Sequence, residues 1–101
     1  MMRVLFVDDC KPEPSGVTGV DRTYDDAVRL LRTYNWDILM LDHDLGDDGR
    51  TGYDLLKQMD EEGRVPPIVQ CVSWNPVGRR RIEQLAAEIA ARPDAGGTRD
   101  A

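Results

Sequence analysis

The chain has 101 residues, 41% of them apolar and 32% charged, with a net charge of −6 and a sequence pI of about 4.6. That length supports one hydrophobic core and not two, and the acidic balance argues against sequence-independent binding of duplex DNA, which needs a basic face. No segment approaches the ~20 apolar residues of a membrane span, and the N-terminus lacks a secretory-signal profile. Cys10 and Cys71 form neither a metal-ligand spacing nor a disulfide framework, so a cytoplasmic protein with no membrane partner is expected.

Met2 to Val7 is a short apolar, β-branched run that stops abruptly at Asp8-Asp9, the pattern of a buried strand. Cys10 to Gly19 holds two prolines and two glycines and is read as loop, with Val17 to Asp21 as a short second strand. Thr23 followed by Asp26 is a variant capping box, and Ala27, Val28, Leu30, Leu31 and Tyr34 give helical apolar spacing after it. Asp37 to Leu41 is the next strand, followed by a Gly- and Asp-rich loop over 46–49. Thr51 and Asp54 repeat the helix start, with Tyr53, Leu55, Leu56 and Met59 as the buried stripe and Gly63 as the stop. Ile68 to Val72 is a further strand. Asn75 and Pro76 cap and open a last helix with Ile82, Leu85, Ala86, Ile89 and Ala90 on its apolar face. Pro93 ends that helix, so the domain is placed at 1–92 and 93–101 is a disordered tail.

Strands alternating with helices imply an α/β fold with a parallel sheet, and in such sheets ligands bind beyond the carboxyl ends of the strands. Three polar clusters fall at strand ends here: Asp8-Asp9, Asp42-His43-Asp44 and Ser73-Trp74-Asn75. Parallel strands finish at one edge, so these clusters converge. Carboxylates brought together must take up protons or share a cation, and an all-oxygen donor set suits magnesium, manganese or calcium better than zinc. Asp47 and Asp48, among glycines, read as solvated turn residues.

The chain's one histidine, His43, lies between two acids that would raise its pKa towards neutral. Strand alternation points it away from Asp42 and Asp44 unless the backbone has already turned. Asn75 opens a helix whose first N–H groups form an anion site, Gly78 lets a ligand approach the backbone, and Arg79, Arg80 and Arg81 stand in a first turn where the helix dipole disfavours cations. Arg79 is the residue of choice for a phosphate. Trp74 reads as core ahead of a stacking platform, Cys71 as a buried strand residue, and Cys10 as an incidental reactive thiol.

The closing "VDD" of the first strand, "LDHDLG" and a Ser-x-Asn resemble the receiver domain of response regulators, although the usual first helix is replaced by the loop KPEPSG and the chain stops before a fifth strand with its phosphate-binding lysine. From Val4 to about Ile89 the chain more closely resembles the cyclic-phosphate-processing receiver-like domains, a compact offshoot of that fold. The resemblance rests on VDD at 7–9, RT at 22–23, LDHDLG at 41–46, TGYD at 51–54 and SWNPVGR at 73–79. It implies a three-layer, flavodoxin-like α/β sandwich with about four mainly parallel strands and three helices. It further implies Mg²⁺ or Mn²⁺ held by Asp8, Asp9 and Asp42 with Asp44, catalysis by Asp42 and His43, and phosphate binding by Ser73, Asn75, Gly78 and Arg79.

The expected substrate is a cyclic-phosphate nucleotide or RNA terminus, hydrolysed with His43 protonating the leaving hydroxyl or with Asp42 as nucleophile. In the family pattern a histidine precedes the Ser-x-Asn; here that position is Val72. The alternatives are a signalling receiver phosphorylated on Asp42 and a module that binds cyclic nucleotides without cleaving them.

Overall fold

A computed structural model of the chain describes residues 2–45 and 49–92, so Asp47, Asp48 and the tail at 93–101 lie outside the described residues. The elements follow the expected order: β1 (Val4–Val7), β2 (Gly19–Asp21), α1 (Tyr24–Thr33), β3 (Ile38–Leu41), α2 (Gly52–Glu61), β4 (Ile68–Cys71) and α3 (Pro76–Ala90). The strands form one parallel sheet in the order β2-β1-β3-β4, with Val7, Leu41 and Cys71 in register across its three longer strands.

The helix starts follow from their capping residues. Thr23 accepts the Asp26 N–H at 3.2 Å, and Thr51 and Asp54 form a full reciprocal capping box. Asn75 Oδ1 accepts from Val77 and Gly78, with Pro76 occupying the position whose N–H would have no helical partner. Gly63 takes φ +70 just after α2, a left-handed conformation that glycine adopts without strain.

Strand alternation sorts the core. Leu5, Val7, Leu39 and Leu41 point to one face, where they join Ala27, Val28 and Leu31 of α1, Leu55, Leu56 and Met59 of α2 and Ile82 of α3 in a single cluster. Each fully buried leucine there contributes about 1.5–3 kcal/mol, so this one-sided cluster is the main source of stability. The three helices stand side by side on that face, α2 against both α1 and α3. Right-handed crossovers require this, because β2→β3 and β3→β4 step in the same direction across the sheet.

The receiver-like arrangement is therefore present, with the first helix replaced by loop and β4 at the edge. The same rule sends the β1–β2 connection over the opposite face, where Phe6 points and is only 2% exposed. Among the described residues that connection contains no helix.

Two apolar expectations need correction. Tyr34 is half exposed, because it is the C-terminal cap of α1 and its ring stands edge-on to Trp36 with Arg3 above it. Trp36 takes the buried place instead and donates its indole N–H to the Leu30 carbonyl at 3.0 Å. Trp74, read as core, is 83% exposed.

Candidate functional site

The sheet's hydrogen-bond ladder continues one residue past the strand ends. Asp8 donates its N–H to the Asp21 carbonyl at 3.1 Å, Asp42 to Val7 at 2.9 Å and Val72 to Leu41 at 3.0 Å. Asp8 and Asp42 are thus held next to one another by the backbone of neighbouring strands, and both are buried. Ser73, also buried, follows β4 and lies close enough to Asp42 to lower its pKa.

Between the two carboxylates lies a cation that sequence reasoning missed. Lys11 Nζ stands 3.0 Å from Asp8 Oδ2 and 3.3 Å from Asp42 Oδ1. The local sequence folds to bring it there. Asp8 Oδ1 accepts the N–H groups of Cys10 at 3.0 Å and Lys11 at 2.9 Å, an Asx-type turn that reverses the chain. Arg22 then pins the loop, donating to the carbonyls of Lys11 at 2.5 Å and Asp8 at 3.3 Å and to Glu13 at 3.2 Å. The Arg-Thr pair has two local tasks: Arg22 fixes the Lys11 loop and Thr23 starts α1.

The electrostatics follow from this packing. Burial works to raise the Asp8 pKa, but the two backbone N–H donors and the Lys11 ammonium outweigh it and hold the carboxyl below its ordinary range. Asp42 goes the other way: burial and the charge of Asp8 raise it, with Lys11 and Ser73 offsetting only part. Burial also opposes the charge on Lys11, yet its contacts with Asp8 and Asp42 raise its pKa and keep it an ammonium. One partly buried cation shared by two buried carboxylates leaves the cluster negative.

Asp9 lies at the rim, and ligand atoms of Asp8, Asp9 and Cys10 come within 4.8 Å of one another, the grouping of this kind found among the described residues. The Cys10 thiol is exposed, and the neighbouring Asp9 carboxylate pushes its pKa up, which disfavours the thiolate. Asp42, linked to Asp8 through Lys11, lies outside that group, and so does Asp44. Asp44 is exposed, forms an isolated bridge with Thr51, and places Oδ1 3.3 Å from His43 Nδ1.

The backbone has turned at His43, whose carbonyl accepts the Gly52 N–H at 2.7 Å. Its ring lies over the first turn of α3: a Cβ on Gly78 would stand within 2.6 Å of His43 Nδ1. Gly78 is therefore glycine to admit the imidazole. His43 Nε2 is buried and has no hydrogen-bond partner among the described residues.

The expected anion site at the start of α3 also looks different. Val77 and Gly78 give their N–H groups to Asn75 Oδ1, both at 3.1 Å, and Arg79 N–H goes to the Asn75 carbonyl at 2.8 Å. The Asn75 N–H itself donates to Ser73 Oγ at 3.0 Å. These donors are engaged within the turn, so the positive charge facing a ligand comes from side chains. Arg79 supplies one, reaching Ser73 O at 3.5 Å and Glu83 at 3.2 Å, and Lys11 supplies the other. Arg81 is engaged elsewhere, over the ring of Tyr53 at 4.1 Å.

No curated protein and no solved structure matches the chain. A family model for the cyclic-phosphate processing receiver domain matches residues 3–88. That match spans all four strands, the loop carrying Lys11, the ends of β1, β3 and β4, and α3 into its last turn. The chain belongs to the family of cyclic-phosphate processing receiver domains.

Proposed function

We propose that this domain is a metal-dependent phosphohydrolase that opens a cyclic phosphate on a nucleotide or RNA terminus. The observation that carries this reading is the pair of buried carboxylates, Asp8 and Asp42, sharing the ammonium of Lys11. The pair already accepts one cation, the cluster remains negative, and with Asp9 at its rim its carboxylate donors suit Mg²⁺ or Mn²⁺. Asp8, Asp9 and Asp42 would hold the ion, which when bound polarises phosphoryl oxygens and lowers the pKa of a water. Asp44 is left to orient His43.

Lys11 and Arg79 bring positive charge to the non-bridging oxygens as negative charge builds there. A water oxygen forms the new bond to phosphorus while one phosphorus–ribose oxygen bond breaks. The released ribose oxygen takes a proton from His43, and the attacking water gives one up to bulk solvent, so the net change is the addition of one water.

A second reading, binding without turnover, is favoured by Val72 at the family's histidine position and by the enclosed Nε2 of His43. One experiment decides between the two. Adenosine 2′,3′-cyclic phosphate is incubated with the protein and Mg²⁺ or Mn²⁺, and products are separated by chromatography, beside an Asp9→Asn/Asp42→Asn variant with calorimetric metal titration. Hydrolysis reported by a monophosphate product, lost by about 10²-fold or more in the variant together with metal binding, supports the hydrolase. Tight binding with ligand recovered intact supports the second reading. Turnover near wild type in the variant removes the carboxylates from the mechanism.

A further inference from the structure

The two tryptophans of the chain are treated in opposite ways. Trp36 is buried with its N–H bonded, whereas Trp74 is 83% exposed. A single exposed apolar residue is unremarkable by itself. What distinguishes Trp74 is its place. Lys11 Nζ, the ammonium that joins Asp8 to Asp42, also stands 4.7 Å from the centroid of the Trp74 ring. The indole is therefore a wall of the carboxylate site and not a surface residue elsewhere.

Its backbone is fixed on both sides. Ser73 is buried, and the Asn75 N–H donates to Ser73 Oγ at 3.0 Å while Asn75 caps α3. The cation–π contact adds a restraint on the ring itself. A flat, apolar surface is thus held in solvent beside a phosphate-sized cluster of charge. Burying that ring inside the molecule was open to the chain, as Trp36 demonstrates.

We propose that Trp74 is the stacking platform for a nucleobase, so that the substrate class is a nucleoside cyclic phosphate, free or at the end of an RNA, and not a cyclic phosphate of glycerol or a sugar lacking a base. This deepens the hydrolase or binding reading above and rests on it. Stacking on an indole is tolerant of base identity because every base has a π-face. The domain therefore accepts all four bases. The net charge of −6 restricts contact to the terminal nucleotide, since a longer strand would bring phosphates against an acidic surface.

The test titrates the full chain with two probes, adenosine 2′,3′-cyclic phosphate and glycerol 1,2-cyclic phosphate, in wild type, Trp74→Ala and Trp74→Phe. Tryptophan fluorescence and calorimetry are the readouts. The adenosine probe is expected to bind wild type roughly 5- to 150-fold more tightly than the glycerol probe, the range that one base–aromatic stack supplies. It should quench the emission that disappears in Trp74→Phe. Trp74→Ala should bring the two probes to the same affinity, and Trp74→Phe should keep most of the difference. Equal affinity of both probes for wild type, with binding intact, overturns the platform and leaves the cyclic-phosphate reading standing. A base preference that survives in Trp74→Ala overturns it as well. Failure of both probes to bind removes the cyclic-phosphate reading and the platform with it.

Discussion

Lys11 Nζ lies 3.3 Å from Asp42 Oδ1, so the aspartate at the end of the central strand β3 carries its counterion from a loop two strands away in sequence order. The same ammonium holds Asp8, and both carboxylates are almost wholly buried. Removing it leaves two desolvated charges facing each other.

Lys11→Met is accordingly expected to lower stability by about 3 kcal/mol at neutral pH, within the range for breaking a buried pair. The Asp42 pKa is already raised by burial and by Asp8, and losing Lys11 raises it further. A folded-state pKa above the unfolded one favours the native state at low pH, so the deficit should shrink as pH falls and Asp42 takes a proton. Denaturant melts of Lys11→Met alone and with Asp42→Asn, at pH 7 and 5, check this. A loss below about 1 kcal/mol at both pH values would mean the pair is solvated.

Gly78→Ala should be destabilising by about 1–3 kcal/mol, the usual cost of overpacking. The added methyl meets the His43 ring. Combining it with His43→Ala should recover most of the loss, a coupling that a double-mutant cycle reads directly. Gly52→Ala should be worse and unrescued by that change, because its Cβ would run into the Asp42 carbonyl, which cannot rotate away.

Asp21, at the end of β2, is buried with Oδ2 lacking a hydrogen-bond partner among the described residues. Burial, then the charge of Asp26, push its pKa up to about 6, with Arg29 offsetting part. Between about pH 4 and 6 the native state keeps a proton that the unfolded state has lost, so this residue makes stability fall as pH rises through that window. Wild type minus Asp21→Asn should show that slope, totalling about 1–3 kcal/mol, and a flat difference across pH 4–7 would remove the claim.

Thr51→Ala should cost about 1 kcal/mol, since Thr51 Oγ1 accepts the Asp54 N–H at 3.2 Å and Asp54 returns the bond to the Thr51 N–H at 2.9 Å. Thr51→Ser, which keeps the oxygen, should lose only a few tenths, as thermal melts would show.

Much of this molecule is legible in its sequence wherever one short-range rule decides. Thr23, Thr51 and Asn75 announce helix starts because a cap acts over three residues. Asp8 and Asp42 can be placed together because parallel strands end at one edge and the ladder carries on through both residues. Lys11 escapes such rules. It sits in a loop with no periodicity, and only the Asx turn at Asp8 and the Arg22 clamp aim it inward. The spacing suggests an opening for ligand at Gly78 and does not reveal that the residue filling it is His43, far earlier in the chain. Trp74 reads as core because it follows an apolar strand, but β4 has ended by then and the chain is turning into a cap.

The loop that carries Lys11 ends in β2, an edge strand of three residues. Arg22, immediately after that strand, holds the Lys11 carbonyl, and the Asp8 N–H closes onto Asp21 within it. Fraying of this one short strand would release the Arg22 clamp and leave the Lys11 loop held by the Asx turn at Asp8 alone. Opening of that one strand is a local event whose free energy lies below that of global unfolding. Amide exchange at Asp8, set against exchange in β3, would report how often the site comes apart.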